Sequence, residues 1–233
     1  MKNTQRILLA VYLFLTLGML WFNWVYGGGI PSLQVTYMVR LSMFFTILVM
    51  RKKYWEQKML VLAFAFTVLS DFFFVFVNTL DQPVANSPLY GMLGFVGAYA
   101  TLIFIFGRHL NFNKNTILTL IPFVLLFGFM FLNLRKYATG YMFPAAIVLG
   151  IILCVTAAVM VSTINSGYFS KKSAYLIALT GCLMFFSDIF VAYTLFHPDY
   201  AKFILWKDNL IAATYVPAWT ILLLIASEEE LYQ

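Results

Sequence analysis

The chain has 233 residues, 63% of them apolar and only 10% charged, with a mean hydropathy of +0.88. Soluble domains run near 45–50% apolar and about 25% charged, so a soluble enzyme core, a secreted disulfide scaffold and a disordered tail are excluded; lipid is the expected solvent. The net charge of +6 comes from 15 basic and 9 acidic side chains gathered in short clusters between long uncharged runs, a pattern unlike the residue-by-residue alternation of a transmembrane β-barrel.

A helix needs roughly 20 residues to cross about 30 Å of hydrocarbon. Apolar runs of that order predict an all-α, eight-helix transmembrane bundle with spans at 7–26, 33–50, 59–80, 89–107, 116–132, 141–164, 174–196 and 209–227. Backbone groups in lipid must pair within their own segment, which puts the turns at Gly27-Gly28-Gly29, Pro83, Pro88 and Asn113 to Asn115. The first run is longer than a signal-peptide core and lacks a small-x-small cleavage site before Gly27, so it reads as a retained helix. The whole of 1–233 reads as one integral membrane domain.

Lysine and arginine orient the bundle. With the N-terminus inside, ten basic residues lie on that side: Lys2, Arg6, Arg51, Lys52, Lys53, Lys58, Arg108, Lys114, Lys171 and Lys172. Four lie opposite, Arg135, Lys136, Lys202 and Lys207. The expectation is both termini in the cytoplasm and a cell-membrane location, as in a bacterial inner membrane. The positive surplus then serves orientation and anionic headgroups; the partner is the bilayer, and no nucleic acid is implied. The composition leaves the oligomeric state open. Cys154 and Cys182 lie in apolar runs and read as small buried hydrophobes, while His109 and His197 fall in loops. No metal-ligand spacing is present, and neither a metal nor a cofactor is expected.

Charge in mid-span costs roughly 2.5–3.5 kcal/mol even on the lenient insertion scale. Three residues carry it: Arg40, Asp71 and Asp188. At 1.5 Å per residue they lie about 11, 13 and 12 Å from the outer ends of their spans, which puts three ionisable groups from three helices at one level. Thr67, Asp71, Phe74 and Asn78 share one helix face, and Gly181, Met184, Asp188 and Ala192 share another. Thr36 aligns with Arg40, and Asp208, Ala212, Tyr215 and Trp219 align on the eighth span. An Asp–Arg pair that merely holds helices together is the structural alternative, but it leaves the second acid without a purpose. Tyr215 has a packing role as its simplest reading, and Asp208 that of an N-cap ahead of Asn209.

The acids sit in similar surroundings, Leu69-Ser70-Asp71-Phe72-Phe73 and Phe186-Ser187-Asp188-Ile189-Phe190, 117 residues apart. This spacing suggests a parallel four-plus-four repeat with halves 1–115 and 116–233.

At these residues the chain resembles the lysoplasmalogenase family, the YhhN-like integral membrane proteins, over most of its length. The resemblance is carried by Arg40-Leu41 in span two, Ser70-Asp71 in span three, Ser187-Asp188 in span seven, and Asp208-Asn209 with Ala212-Ala213-Thr214-Tyr215 leading into span eight. The chain departs from the family where Lys-Pro is usual (Arg40-Leu41), where span four tends to carry a His (the nearest residue is Tyr99), and after Tyr215, where Ala218-Trp219 replaces Ala-Gln or Gly-His. The resemblance implies hydrolysis of the vinyl-ether bond of a lysophospholipid, with Asp71 and Asp188 catalytic and with Arg40, Ser70, Ser187, Asn78, Tyr99, Asp208, Asn209 and Tyr215 supporting.

The residues suit that reaction. Vinyl-ether hydrolysis needs one carboxyl that still holds a proton and one carboxylate that steadies an oxocarbenium ion and activates water. Arg40 beside one of the two acids would divide these roles, as paired carboxyls do in glycosidases. Two other classes fit the residues: a proton-coupled permease, given mid-membrane acids and Gly91, Gly94 and Gly97 in span four, and a lysolipid-binding protein without turnover. Against the permease, no span looks broken. A retinal protein would need a mid-span lysine, which is lacking.

Overall fold

The computed structural model describes residues 3–82, 84–110, 114–203 and 205–232, without the side chains of Asn115, Trp206 and Lys207. Lys2, Pro83 and Asn113, invoked above for orientation and turns, lie outside the described residues. Among the described residues the protein is all-helical, with eight helices long and apolar enough to cross a membrane.

Helix α1 (Asn3–Tyr26) turns at Gly27 and Gly28, both with left-handed φ, into α2 (Ile30–Val49), which opens on Pro31 where a missing N–H costs nothing. Helix α3 (Trp55–Asp71) begins where Gln57 Oε1 accepts the N–H groups of Lys53 and Tyr54, at 2.8 and 3.0 Å. It does not stop at Asp71. One π-helical turn (Phe72–Phe76) and a 3₁₀ turn (Val77–Thr79) carry the span on to Thr79. Helix α4 (Ser87–Gly107) has Pro88 in its first turn, α5 (Lys114–Leu134) contains Pro122, and α6 (Met142–Ser162) ends in a 3₁₀ turn, Thr163–Asn165. Helix α7 (Lys171–Phe196) is capped by the Ser170 side chain, and α8 (Ile211–Ala226) is entered through a second π-helical turn, Leu205–Leu210. The permitted deviations from α geometry thus fall at Phe72–Phe76, directly after one of the two mid-span acids, and at the entrance to α8, without breaking either span.

In lipid, helices associate through close packing and interhelical hydrogen bonds. Gly91, Gly94 and Gly97 make a flat face on α4 against Phe74, Ser70 and Phe66 of the third span; a Cβ on Gly94 would stand 2.8 Å from that of Ser70. Gly181 does the same for α7, where a Cβ would meet Met160 Cβ of α6 at 2.8 Å. Helix α8 is the hub: Val216, Ala218, Trp219, Leu222 and Leu223 are buried, and the helix touches α1, α2, α3 and α7. Helix α5 lies at the periphery against α6 and is exposed along most of its length.

Both termini meet at one end of the bundle, as an even number of spans requires. Gln5 donates to Glu228 Oε2 at 3.0 Å, and Lys172 pairs with the same carboxylate. Buried Glu56 accepts from Tyr168 (3.4 Å) and Tyr232 and pairs with His109 at 3.0 Å. The chain after α8 is thereby tied across the ends of α3, α4 and α7, with Ser170 N–H donating to Leu231 O at 3.0 Å.

Candidate active site

The structure assembles the mid-span polar residues into two linked groups. In the first, Arg40 Nη1 of α2 donates to Asp71 Oδ1 of α3 at 2.6 Å, and the Tyr215 hydroxyl of α8 donates to Asp71 Oδ2 at 2.6 Å. The Arg40 guanidinium also lies over the Tyr215 ring, 4.2 Å from its centre. Asp71 is fully buried and Arg40 and Tyr215 nearly so. Each oxygen of the carboxylate therefore has a donor, and the ion pair is compensated where an unpaired charge would be prohibitive.

In the second group the Tyr99 hydroxyl of α4 donates to Asp188 Oδ2 of α7 at 2.7 Å. Among the described residues no cation pairs with Asp188. Phe95 joins the groups, stacking on Tyr99 at 5.8 Å and meeting Tyr215 edge-on at 6.2 Å. The donors are crossed: Tyr99 precedes Asp188 by 89 residues and Tyr215 follows Asp71 by 144, so each acid takes its hydroxyl from the opposite half of the chain.

Only one of the acids reaches open space. A narrow cavity lies among α4, α5, α6, α7 and the π turn of the third span. Its walls are Phe, Leu, Met, Ile, Val, Ala and Gly except at two residues, Asp188 and Arg135. It occupies the half of the bundle away from the termini: Phe185, Asp188 and Leu153 lie along the middle of their helices, and Leu195, Phe196 and Arg135 at or just past the helix ends. Asp71 does not line it.

The remaining predicted residues divide. Ser70 is buried and donates to Gly91 O at 2.6 Å, so it locks α3 to α4 rather than touching a carboxyl. Ser187 is buried next to Asp188, and its hydroxyl has no hydrogen-bond partner among the described residues. Asn78 is exposed and donates to Phe74 O one turn back, at 2.7 Å; the structure does not bring it to the acids, because the π turn rotates it off the face it would share with Asp71 on a regular helix. Asp208 is not an N-cap. It lies inside the π-helical turn, Leu210 occupies the cap position of α8 without a side-chain cap bond, and the Asp208 carboxyl stands against Gly28 of the α1–α2 turn. Asn209 follows it in the same turn, its side-chain oxygen buried.

Sequence reasoning treated Arg135 only as an outer-loop charge. Its position one residue past α5, beside a run of apolar residues, was the available signal. It also set Glu56 outside the third span, whereas α3 begins one residue earlier and buries that carboxyl.

Fold and site together define a polytopic membrane protein with a carboxyl side chain set in the wall of an apolar intramembrane cavity. The chain belongs to the YhhN family, whose model matches residues 32–226, a stretch holding Arg40, Asp71, Tyr99, Asp188 and Tyr215. Neither a curated protein nor a solved structure matches it.

Proposed function

We propose that the protein is a lipid hydrolase of the lysoplasmalogenase type, cleaving the vinyl-ether bond of a lysophospholipid to a fatty aldehyde and a glycerophospho-alcohol. The observation that carries this reading is Asp188: a carboxyl held by one tyrosine, with no cation beside it, in the wall of a cavity otherwise fit for hydrocarbon. Tyr99 occupies Oδ2, and Oδ1 is the oxygen assigned to the ligand in this reading.

The neutral Asp188 carboxyl gives its proton to the distal alkene carbon. The alkene pair forms the new C–H bond, and an oxocarbenium ion is left at the carbon bearing the ether oxygen. The carboxylate so formed lies beside that cation and takes a proton from water as the water adds to it. The hemiacetal then collapses: Asp188 returns a proton to the departing ether oxygen and receives the hydroxyl proton, which yields aldehyde and alcohol and restores the acid. One carboxyl performs all four transfers. Asp71, sealed behind Arg40 and Tyr215, is a positioning residue whose ion pair fixes α2, α3 and α8 around Phe95 and Tyr99. This differs from a mechanism in which both acids touch substrate, and it follows from Asp188 alone lining the cavity.

The distribution of basic residues supports a topology with both termini cytoplasmic, which puts the cavity in the outer half of the membrane. The test is aldehyde release from a lysoplasmalogen by detergent-purified protein, followed by mass spectrometry. Release by the wild type and its loss in Asp188→Asn are expected; undiminished release from folded Asp188→Asn overturns the proposal.

A further inference from the structure

The cavity holds two charged side chains that do not pair with each other. Asp188 is in its wall, and Arg135, exposed and one residue past the end of α5, lines it without a side-chain hydrogen bond or ion pair among the described residues. Its neighbour Lys136 differs in having its ammonium over the Tyr137 ring, 4.7 Å from the centre. An arginine that lines an apolar slot without a partner of its own is a ready partner for an anion, since its fork of N–H groups matches the oxygens of a phosphate.

Depth decides which anion. Asp188 precedes Phe196, the last residue of α7, by eight positions, so it lies about 12 Å below that end of the helix at 1.5 Å per residue. A fatty-acid carboxylate at Arg135 would present only methylenes to Asp188. A glycerol phosphodiester at Arg135 instead places its first glycerol oxygen, the one carrying the chain, partway down the slot toward Asp188.

We propose that Arg135 is the phosphate-recognition residue of this cavity, an assignment that rests on the cavity being the site of the single-chain lipid proposed above. Arg135 selects the headgroup by charge, and Asp188 meets the bond beneath it.

Binding separates this from the catalytic reading. Full-length protein in a non-ionic detergent is titrated with three probes, measured by native mass spectrometry: a 1-O-alkyl lysophosphoethanolamine, the 1-O-alkylglycerol with the same chain, and chain-free glycerophosphoethanolamine. The wild type is expected to prefer the phosphorylated lipid over the alkylglycerol by about tenfold, which corresponds to roughly 1.4 kcal/mol. Arg135→Ala is expected to abolish that ratio, and Arg135→Lys to retain part of it and so guard against a folding artefact. Chain-free glycerophosphoethanolamine is expected to bind far more weakly than the lysolipid, and equal binding would reduce the site to a surface anion site and overturn the proposal. A wild type without preference, or a preference unchanged in Arg135→Ala, also overturns it. Loss of the ratio in Arg135→Ala supports the proposal whether or not aldehyde is released, whereas absence of aldehyde release alone counts against the catalytic reading.

Discussion

Arg40 and Tyr215 hold opposite oxygens of one carboxylate while touching each other. The guanidinium binds Asp71 Oδ1, the phenol binds Oδ2, and the cation lies 4.2 Å above the phenol ring. Removing Arg40 leaves the buried Asp71 with its phenol donor but no countercharge, and removing the Tyr215 hydroxyl leaves Oδ2 without a donor. Arg40→Met is expected to cost about 3–5 kcal/mol, the usual consequence of stranding a buried charge, and Tyr215→Phe about 1–3 kcal/mol. Thermal unfolding in detergent reads both. A melting temperature unchanged by Arg40→Met would refute the assigned role of the pair.

Asp188 carries the chemistry in the proposed reaction. Asp188→Asn is expected to lower aldehyde release by about 10²–10⁴-fold, the range for losing a general acid, with little change in melting temperature because no ion pair is broken. Tyr99→Phe keeps the carboxyl but frees its rotamer, and a loss of about tenfold is expected, equivalent to one hydrogen bond. Activity rates beside unfolding curves separate the two residues; equal losses would show that Tyr99 does more than orient.

Helices α5 and α6 meet where the Phe127 ring lies on Gly150, so closely that a methyl group there would collide with it. Both residues line the cavity. Gly150→Ala is expected to push the ring into the slot or to prise α5 from α6, and in either case to reduce lysolipid binding at least several-fold. Unaltered binding of the alkyl lysolipid by Gly150→Ala would show that the ligand does not use this space.

The end that carries the termini gives the pH dependence. Burial pushes the Glu228 carboxyl up, but hydrogen bonds from Lys172 and Gln5 and the charge of Lys172 outweigh it and hold the group below the ordinary glutamate range. A carboxyl depressed in the folded state contributes stability that is complete above its unfolded value and is lost as pH falls through the folded one. Thermal stability is therefore expected to decline as the medium is acidified below the ordinary glutamate range. Glu228→Gln is expected to flatten that decline and to lower the melting temperature at neutral pH. A variant that follows the wild-type curve would exclude Glu228 as its source.

The spans were legible because lipid leaves so few options: hydropathy and the need to pair every backbone group place eight helices to within a few residues. Arg40, Asp71 and Asp188 stood out for the same reason, since charge in mid-span has a cost that demands a partner. What could not be read was the direction in which each side chain faces. A regular 3.6-residue repeat puts Asn78 on the face of Asp71, but the π turn at Phe72–Phe76 inserts a rotation that no residue type announces. The same holds for Asp208, which has the chemistry of an N-cap yet lies within a π-helical turn. Pairings such as Tyr99 with Asp188, or Glu56 with Tyr232, join positions 89 and 176 residues apart. Such partners are fixed by packing, and a lone sequence carries no record of it.

The exchange of hydroxyl donors across the middle of the chain also bears on how the protein can be taken apart. A polypeptide cut in the loop between α4 and α5 would give two four-helix pieces, each with an aspartate whose tyrosine travels on the other. The first would keep the Arg40–Asp71 ion pair but lose the phenol on Oδ2, and the second would hold Asp188 without its tyrosine. Co-expressed fragments would have a strong incentive to find each other in the bilayer, and the C-terminal fragment alone would meet the cell's quality control with a bare carboxyl in its hydrocarbon span.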